Sequence, residues 1–101
     1  MRLTDESKQA MIDCGIPRYM HRAIIDFYEN GWQPGGFLTA VINNDLKESV
    51  GRADDTNINC LKNYVMWFYN HAPGGSWGFE NAVETWCNRI EEEKLAQVEV
   101  S

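Results

Sequence analysis

Two short segments of this chain nearly repeat each other, and both carry residues suited to holding a small ligand. The first is Trp32-Gln33-Pro34-Gly35-Gly36-Phe37, the second Pro73-Gly74-Gly75-Ser76-Trp77-Gly78-Phe79. Each sets a Pro-Gly-Gly turn beside a tryptophan and runs into a segment with helical periodicity. A helix that opens on glycine presents bare backbone N–H groups and the positive end of its dipole, which suit an anion. A neighbouring tryptophan offers a flat face to a planar group. The combination points to a ligand with a ring and a phosphate or carboxylate. The competing reading is architectural: Pro-Gly-Gly makes tight turns between packed helices, and the tryptophans fill or edge the core.

The segment between the turns adds polar groups of the right kinds. Asn43, Asn44, Asp45, Lys47 and Arg52 follow the first turn closely. Carboxamides read donor and acceptor edges of a base or sugar. Lys47 and Arg52 can neutralise a phosphate, the arginine through its planar fork. On a continuous helix Asn44, Lys47 and Gly51 share a face. An Asn-Asn-Asp run is costly inside a helix, and local conflict of that kind is expected more at functional sites than elsewhere. The alternative is an ordinary solvated face.

Signatures of catalysis are missing. No serine sits in a G-x-S-x-G elbow, and neither glycine turn carries the G-x-x-x-x-G-K pattern of a phosphate loop. Cys14, Cys60 and Cys87 are an odd set without a C-x-x-C, and His21 and His71 stand alone, so metal-ligand spacing is absent. Buried free thiols in a reducing compartment are the simplest account. Cys60 and His71 lie three helical turns apart, too far to form a catalytic pair. Acidic pairs such as Asp54-Asp55 more often cap helices than bind a cation. A non-enzyme without cofactor or metal is the expectation.

The elements that must position these residues read as helices. Thr4 is a candidate N-cap for a helix to Asp13, which Gly15 ends. Pro17 suits the first turn of a second helix, whose Met20, Ile24, Phe27 and Tyr28 share a face and which Asn30-Gly31 stops. From Phe37, an apolar stripe recurs at Leu38, Ile42, Leu46 and Val50. Asp45 with Glu48 also fits a fresh cap, so 37–51 is one helix or two broken near Asn44, ending at Gly51. After a polar link with Asp54, Asp55 or Thr56 as cap, Ile58, Leu61, Val65 and Phe68 mark a buried face flanked by Trp67 and Tyr69. Phe79, Val83, Trp86 and Ile90 line a last helix, and the tail from Leu95 to Ser101 is expected to fray. The one short alternation, Gln97-Val98-Glu99-Val100, falls at the end. The expectation is a single all-α domain over 1–101, a compact bundle of about five helices joined by Gly/Pro-rich turns.

Composition narrows the partners. The chain has 101 residues, 44% hydrophobic and 12% aromatic, enough for one core without disulfides or metal. Its net charge is −6 and its nine basic residues are scattered, with no two adjacent. Nucleic acid and anionic membrane are therefore not expected partners, because both are bound by clustered basic groups. The opening residues Met1 to Glu6 lack the apolar stretch of a secretion signal. No run approaches the ~20 apolar residues of a membrane span.

The string Pro34-Gly35-Gly36-Phe37-Leu38-Thr39-Ala40-Val41-Ile42-Asn43-Asn44-Asp45-Leu46-Lys47-Glu48, with Gly51-Arg52-Ala53-Asp54, Tyr69-Asn70-His71-Ala72-Pro73 and Trp77-Gly78, resembles a group of short phage and prophage proteins. The resemblance covers roughly residues 15 to 90. It implies a phage genome and a host-cytoplasm setting, and it brings no activity and no catalytic residues. Small phage proteins of this sort often act by binding, some by capturing host signalling nucleotides.

The leading expectation is a non-enzymatic binder that sequesters a small nucleotide-like metabolite and so counters host defence. Its site would comprise Gly35 and Gly36 on the anion, Phe37 or Trp77 stacking, Asn44 on an edge, and Lys47 and Arg52 on the charge. Whether the two Pro-Gly-Gly turns meet in one site is left open. The alternative is a protein-interaction module acting through surplus aromatics such as Trp67 and Tyr69. Spare apolar helix faces on so small a bundle favour a homo-oligomer, most simply a two-fold dimer.

Overall fold

A computed structural model describes residues 3–100, with side chains through residue 97. Met1, Arg2 and Ser101, which the readings of the leader and tail included, lie outside the described residues. Among those described there are seven α-helices and no strand. The class matches the expectation, and the helix count exceeds it because two segments each give a pair of helices.

α1 (Asp5–Asp13) is capped as expected: Thr4 Oγ1 accepts the Ser7 N–H at 3.0 Å. α2 (Arg18–Asn30) has Pro17 at its N-cap, one position earlier than inside the first turn, and ends on Gly31 in the left-handed region at φ 70°. Glycine is required at that end. A Cβ on Gly31 would come within 2.8 Å of Ile90 Cβ, so α2 turns where it meets α7 (Ala82–Val100).

The stripe from Leu38 to Val50 does not form one face. α3 (Gly36–Ile42) and α4 (Leu46–Arg52) are separate helices. Asn44 is left-handed at φ 60°, with the Asn44 N–H donated to Val41 O and the Asp45 N–H to Ala40 O. That paired closure ends α3 in a Schellman motif, with asparagine where glycine is commoner. Asp45 then caps α4 by accepting the Glu48 N–H at 3.2 Å. The reversal leaves Leu38 and Ile42 buried but Leu46 69% and Val50 50% exposed. Gly51 lies within α4 and does not end it.

The next segment also divides, into α5 (Asp55–Asn59) and α6 (Leu61–His71), at Cys60. Asp54 is the cap: its Oδ1 accepts the Asn57 N–H at 2.7 Å. Of the face read from Ile58, Leu61, Val65 and Phe68, Phe68 is buried and Leu61 is half-buried against the core, but the buried face is not aliphatic. It is Asn57, Tyr64, Trp67 and Phe68, while Ile58 and Val65 are exposed. Both sets fit a helical face, and the aromatic one removes more apolar area from water. Trp67, expected as a flanking residue, is fully buried.

Phe79 precedes α7 and is partly exposed, whereas Val83, Trp86 and Ile90 are buried as expected. The helix continues through the tail expected to fray, and through the short alternation at its end.

α1 packs on α2 and α6, α2 and α3 pack on α7, α3 on α4, and α5 on α6. The core is aromatic and centres on Tyr28, with ring centroids 4.7 Å from Phe27, 5.3 Å from Trp86 and 6.2 Å from Trp67. The indole N–H groups are satisfied: Trp67 donates to Ser7 O at 2.9 Å and Trp86 to Tyr28 O at 3.2 Å.

Candidate functional site

The two Pro-Gly-Gly turns differ in structure. Gly35 is the N-cap of α3 and Gly36 its first residue, with no side-chain cap. The second turn closes through Ser76, whose N–H reaches Pro73 O at 3.2 Å, and opens no helix, since α7 begins only at Ala82. Its role is to carry the chain back to α3. The Gly78 N–H donates to Ile42 O at 2.7 Å, and Asn43 Oδ1 accepts the Val83 N–H at 2.9 Å. The end of α3 and the start of α7 thus satisfy one another's backbone groups.

The seven residues singled out in the sequence fall into separate places. Gly36 and Arg52 meet: a Cβ on Gly36 would lie 3.0 Å from Arg52 Cδ and Nη1. They line a cleft of about 360 Å³ with Gln33, Pro34, Thr39, Asn43, Asp45 and Glu48. Arg52 is already engaged there, its Nε 3.0 Å from Glu48 Oε2. Gly35 is exposed and does not line that cleft. Phe37 is buried edge-on against Tyr64 at 5.1 Å. Asn44 and Trp77 share a different groove, and Lys47 is exposed and lines neither.

That second groove is apolar. Val41, Leu46, Leu61, Val65 and Trp77 line about 190 Å³ together with Asn44, Asp45 and Ser49. α4 supplies Leu46 and Ser49, α6 supplies Leu61 and Val65, and the loop before α7 supplies Trp77. Trp77 is stacked on Phe68 at 5.6 Å, which fixes its plane against the core. Leu46 and Val65 stand 69% and 41% exposed at the margins. Val50 is one turn beyond Leu46 and Tyr69 one turn beyond Val65, both exposed, so each helix carries the apolar face past the groove. Sequence periodicity places Leu46 and Val50 on an apolar stripe and Val65 on a buried face. Their apolar character was legible, and their exposure was not.

A polar depression adjoins the groove. Asn43, Asn44, Asp45, Leu46, Glu80 and Asn81 line about 550 Å³, and Asn44, Asp45 and Leu46 belong to both surfaces. Asn81, like Asn44, is left-handed, at φ 64°. Glu80 and Asn81 carried no sequence signal; they come to the site only because the loop before α7 folds against the end of α3.

Titratable groups elsewhere are structural. Asp54 is held below the usual carboxylate value, first by the Asn57 N–H and then by the Tyr19 hydroxyl, which donates to Oδ2 at 2.8 Å. Burial pushes the Tyr28 and Tyr64 hydroxyls far up. Burial also raises the Cys87 thiol, which lowers its thiolate fraction. Cys60 and His71 sit at opposite ends of α6. No group of His, Cys, Asp and Glu able to hold a metal occurs among the described residues, and no helix among them is long and apolar enough to cross a membrane.

Comparison with protein-family models, with curated proteins and with solved structures returned no match.

Proposed function

We propose that this chain is a protein-interaction module whose docking face is the apolar groove between α4, α6 and Trp77. The observation that carries the reading is the exposure of Leu46 and Val65 beside a tryptophan held flat against the core. A rigid aromatic floor with aliphatic walls is the arrangement that interface anchors fill. The groove is too small and too apolar for a whole nucleotide, and it suits one or two side chains of a partner segment. In the phage setting implied by the resemblance, the partner would be a host or phage protein whose activity the module modulates.

Photo-crosslinking tests this directly. A photoreactive phenylalanine analogue at Val65 should give one discrete protein adduct in host cells, and the same analogue at Glu92 on the outer part of α7 should not. Equal labelling at both positions, or none at Val65, would overturn the reading.

A second reading keeps the nucleotide-like ligand, at the Gly36–Arg52 cleft. It is favoured by the guanidinium lying along the first turn of α3. Against it, Asp45 and Glu48 line the same cleft, and Glu48 holds the arginine. A ligand that binds only the native state raises stability. On this reading a nucleotide from a cyclic and linear panel raises the melting temperature of the protein but not of Arg52→Ala. No shift across the panel removes the reading.

A further inference from the structure

The apolar groove and the polar depression form one continuous surface joined at Asn44, Asp45 and Leu46. No lysine or arginine lines either part. Two carboxylates do, Asp45 and Glu80, and neither has an ion-pair partner among the described residues. One Asp45 oxygen is committed to the Glu48 N–H, and Arg52, which lines the neighbouring cleft with Asp45, is paired with Glu48. Three carboxamides, Asn43, Asn44 and Asn81, complete the depression. The surface is therefore an apolar slot with an acidic ledge along one side, on a chain of net charge −6.

We propose that the ledge selects a partner segment whose apolar anchor is flanked by lysine or arginine: a basic, amphipathic stretch of another protein. The inference rests on the docking reading given above and adds the partner's chemistry. The apolar anchor supplies affinity by desolvation, and the flank supplies orientation and on-rate through charges facing Asp45 and Glu80. A second copy of this chain fits poorly, because two-fold pairing through this face brings acidic ledges together.

The test is a selection from a displayed library of helical peptides, carried out on the full chain, with the selected binders measured against three variants. Asp45→Asn keeps a cap for α4 while removing the charge, since asparagine caps as well as aspartate. It is combined with the exposed substitution Glu80→Gln. Leu46→Ser with Val65→Ser removes the anchor walls without changing charge. Gln9→Ser, on α1, is the control.

The expected binders carry large apolar residues at helical spacing with lysine or arginine beside them. Their affinity falls about tenfold in the Asp45→Asn/Glu80→Gln protein, with a weaker salt dependence, and is lost in the Leu46→Ser/Val65→Ser protein. Binders that need Leu46 and Val65 but are indifferent to the charge variants overturn the basic flank and leave the docking reading standing. Binders indifferent to Leu46→Ser/Val65→Ser, or a library that yields none, overturn both. A concentration-dependent dimer dissolved by Leu46→Ser/Val65→Ser assigns the groove to a second copy and overturns the basic partner.

Discussion

Asn57 shows how single residues hold this fold together. It is 4% exposed, and its Oδ1 accepts the Tyr64 hydroxyl at 2.6 Å, tying α5 to α6 across the break at Cys60. Tyr64→Phe strands that buried acceptor, and it should cost about 1–3 kcal/mol in denaturant unfolding. Gly31→Ala should cost about 2 kcal/mol or more, because a left-handed backbone and a collision with Ile90 act together. An unchanged midpoint for Gly31→Ala would mean that α2 and α7 do not meet as described. Asp54 gives a pH signature. Its folded-state pKa is depressed, so its contribution is present above the unfolded value and is lost as pH falls through the folded one. The gap in melting temperature between the protein and Asp54→Asn should therefore narrow as pH falls below the ordinary carboxylate value of about 3.9. A gap that is constant with pH would contradict the hydrogen bonds to Asn57 and Tyr19.

At the scale of elements, α3 and α4 decide the surface. Four-residue recurrence of Leu38, Ile42, Leu46 and Val50 reads equally well as one helix or two. Asn43-Asn44-Asp45 resolves it, because asparagine tolerates the left-handed conformation and aspartate caps the helix that follows. Both signals are present in the sequence. What is not present is the direction α4 takes after the turn, and so which apolar residues it leaves outside. The same limit applies to α6, where aromatic and aliphatic faces compete and only packing against Tyr28 selects the aromatic one. The acidic ledge was illegible for a further reason: Glu80 is 35 positions from Asp45 in the chain, and a loop with no periodicity brings it there. Asn44→Gly should leave stability nearly unchanged, whereas Asn44→Ala should lose about 1 kcal/mol. Equal losses would show that Asn44 acts through its side chain rather than its backbone.

For the whole molecule, the structure separates a stable aromatic interior from a face that adds little to it. Tyr28, Trp67, Phe68 and Trp86 anchor the helices, and the five exposed apolar side chains Leu46, Val50, Val65, Met66 and Tyr69 sit outside that interior on α4 and α6. Substituting Leu46 and Val65 by serine should thus leave thermal unfolding within about 0.5 kcal/mol of the parent, the range of ordinary surface changes, while removing partner binding. Trp67→Ala, by contrast, should cost about 3–5 kcal/mol. The measurement closest to the central claim is a methyl NMR titration with a segment selected on the protein. The docking account predicts that the methyl resonances of Val41, Leu46, Leu61 and Val65 shift on binding, while those of Val83 and Ile90 stay in place. Shifts confined to methyl groups away from α4 and α6 would contradict it.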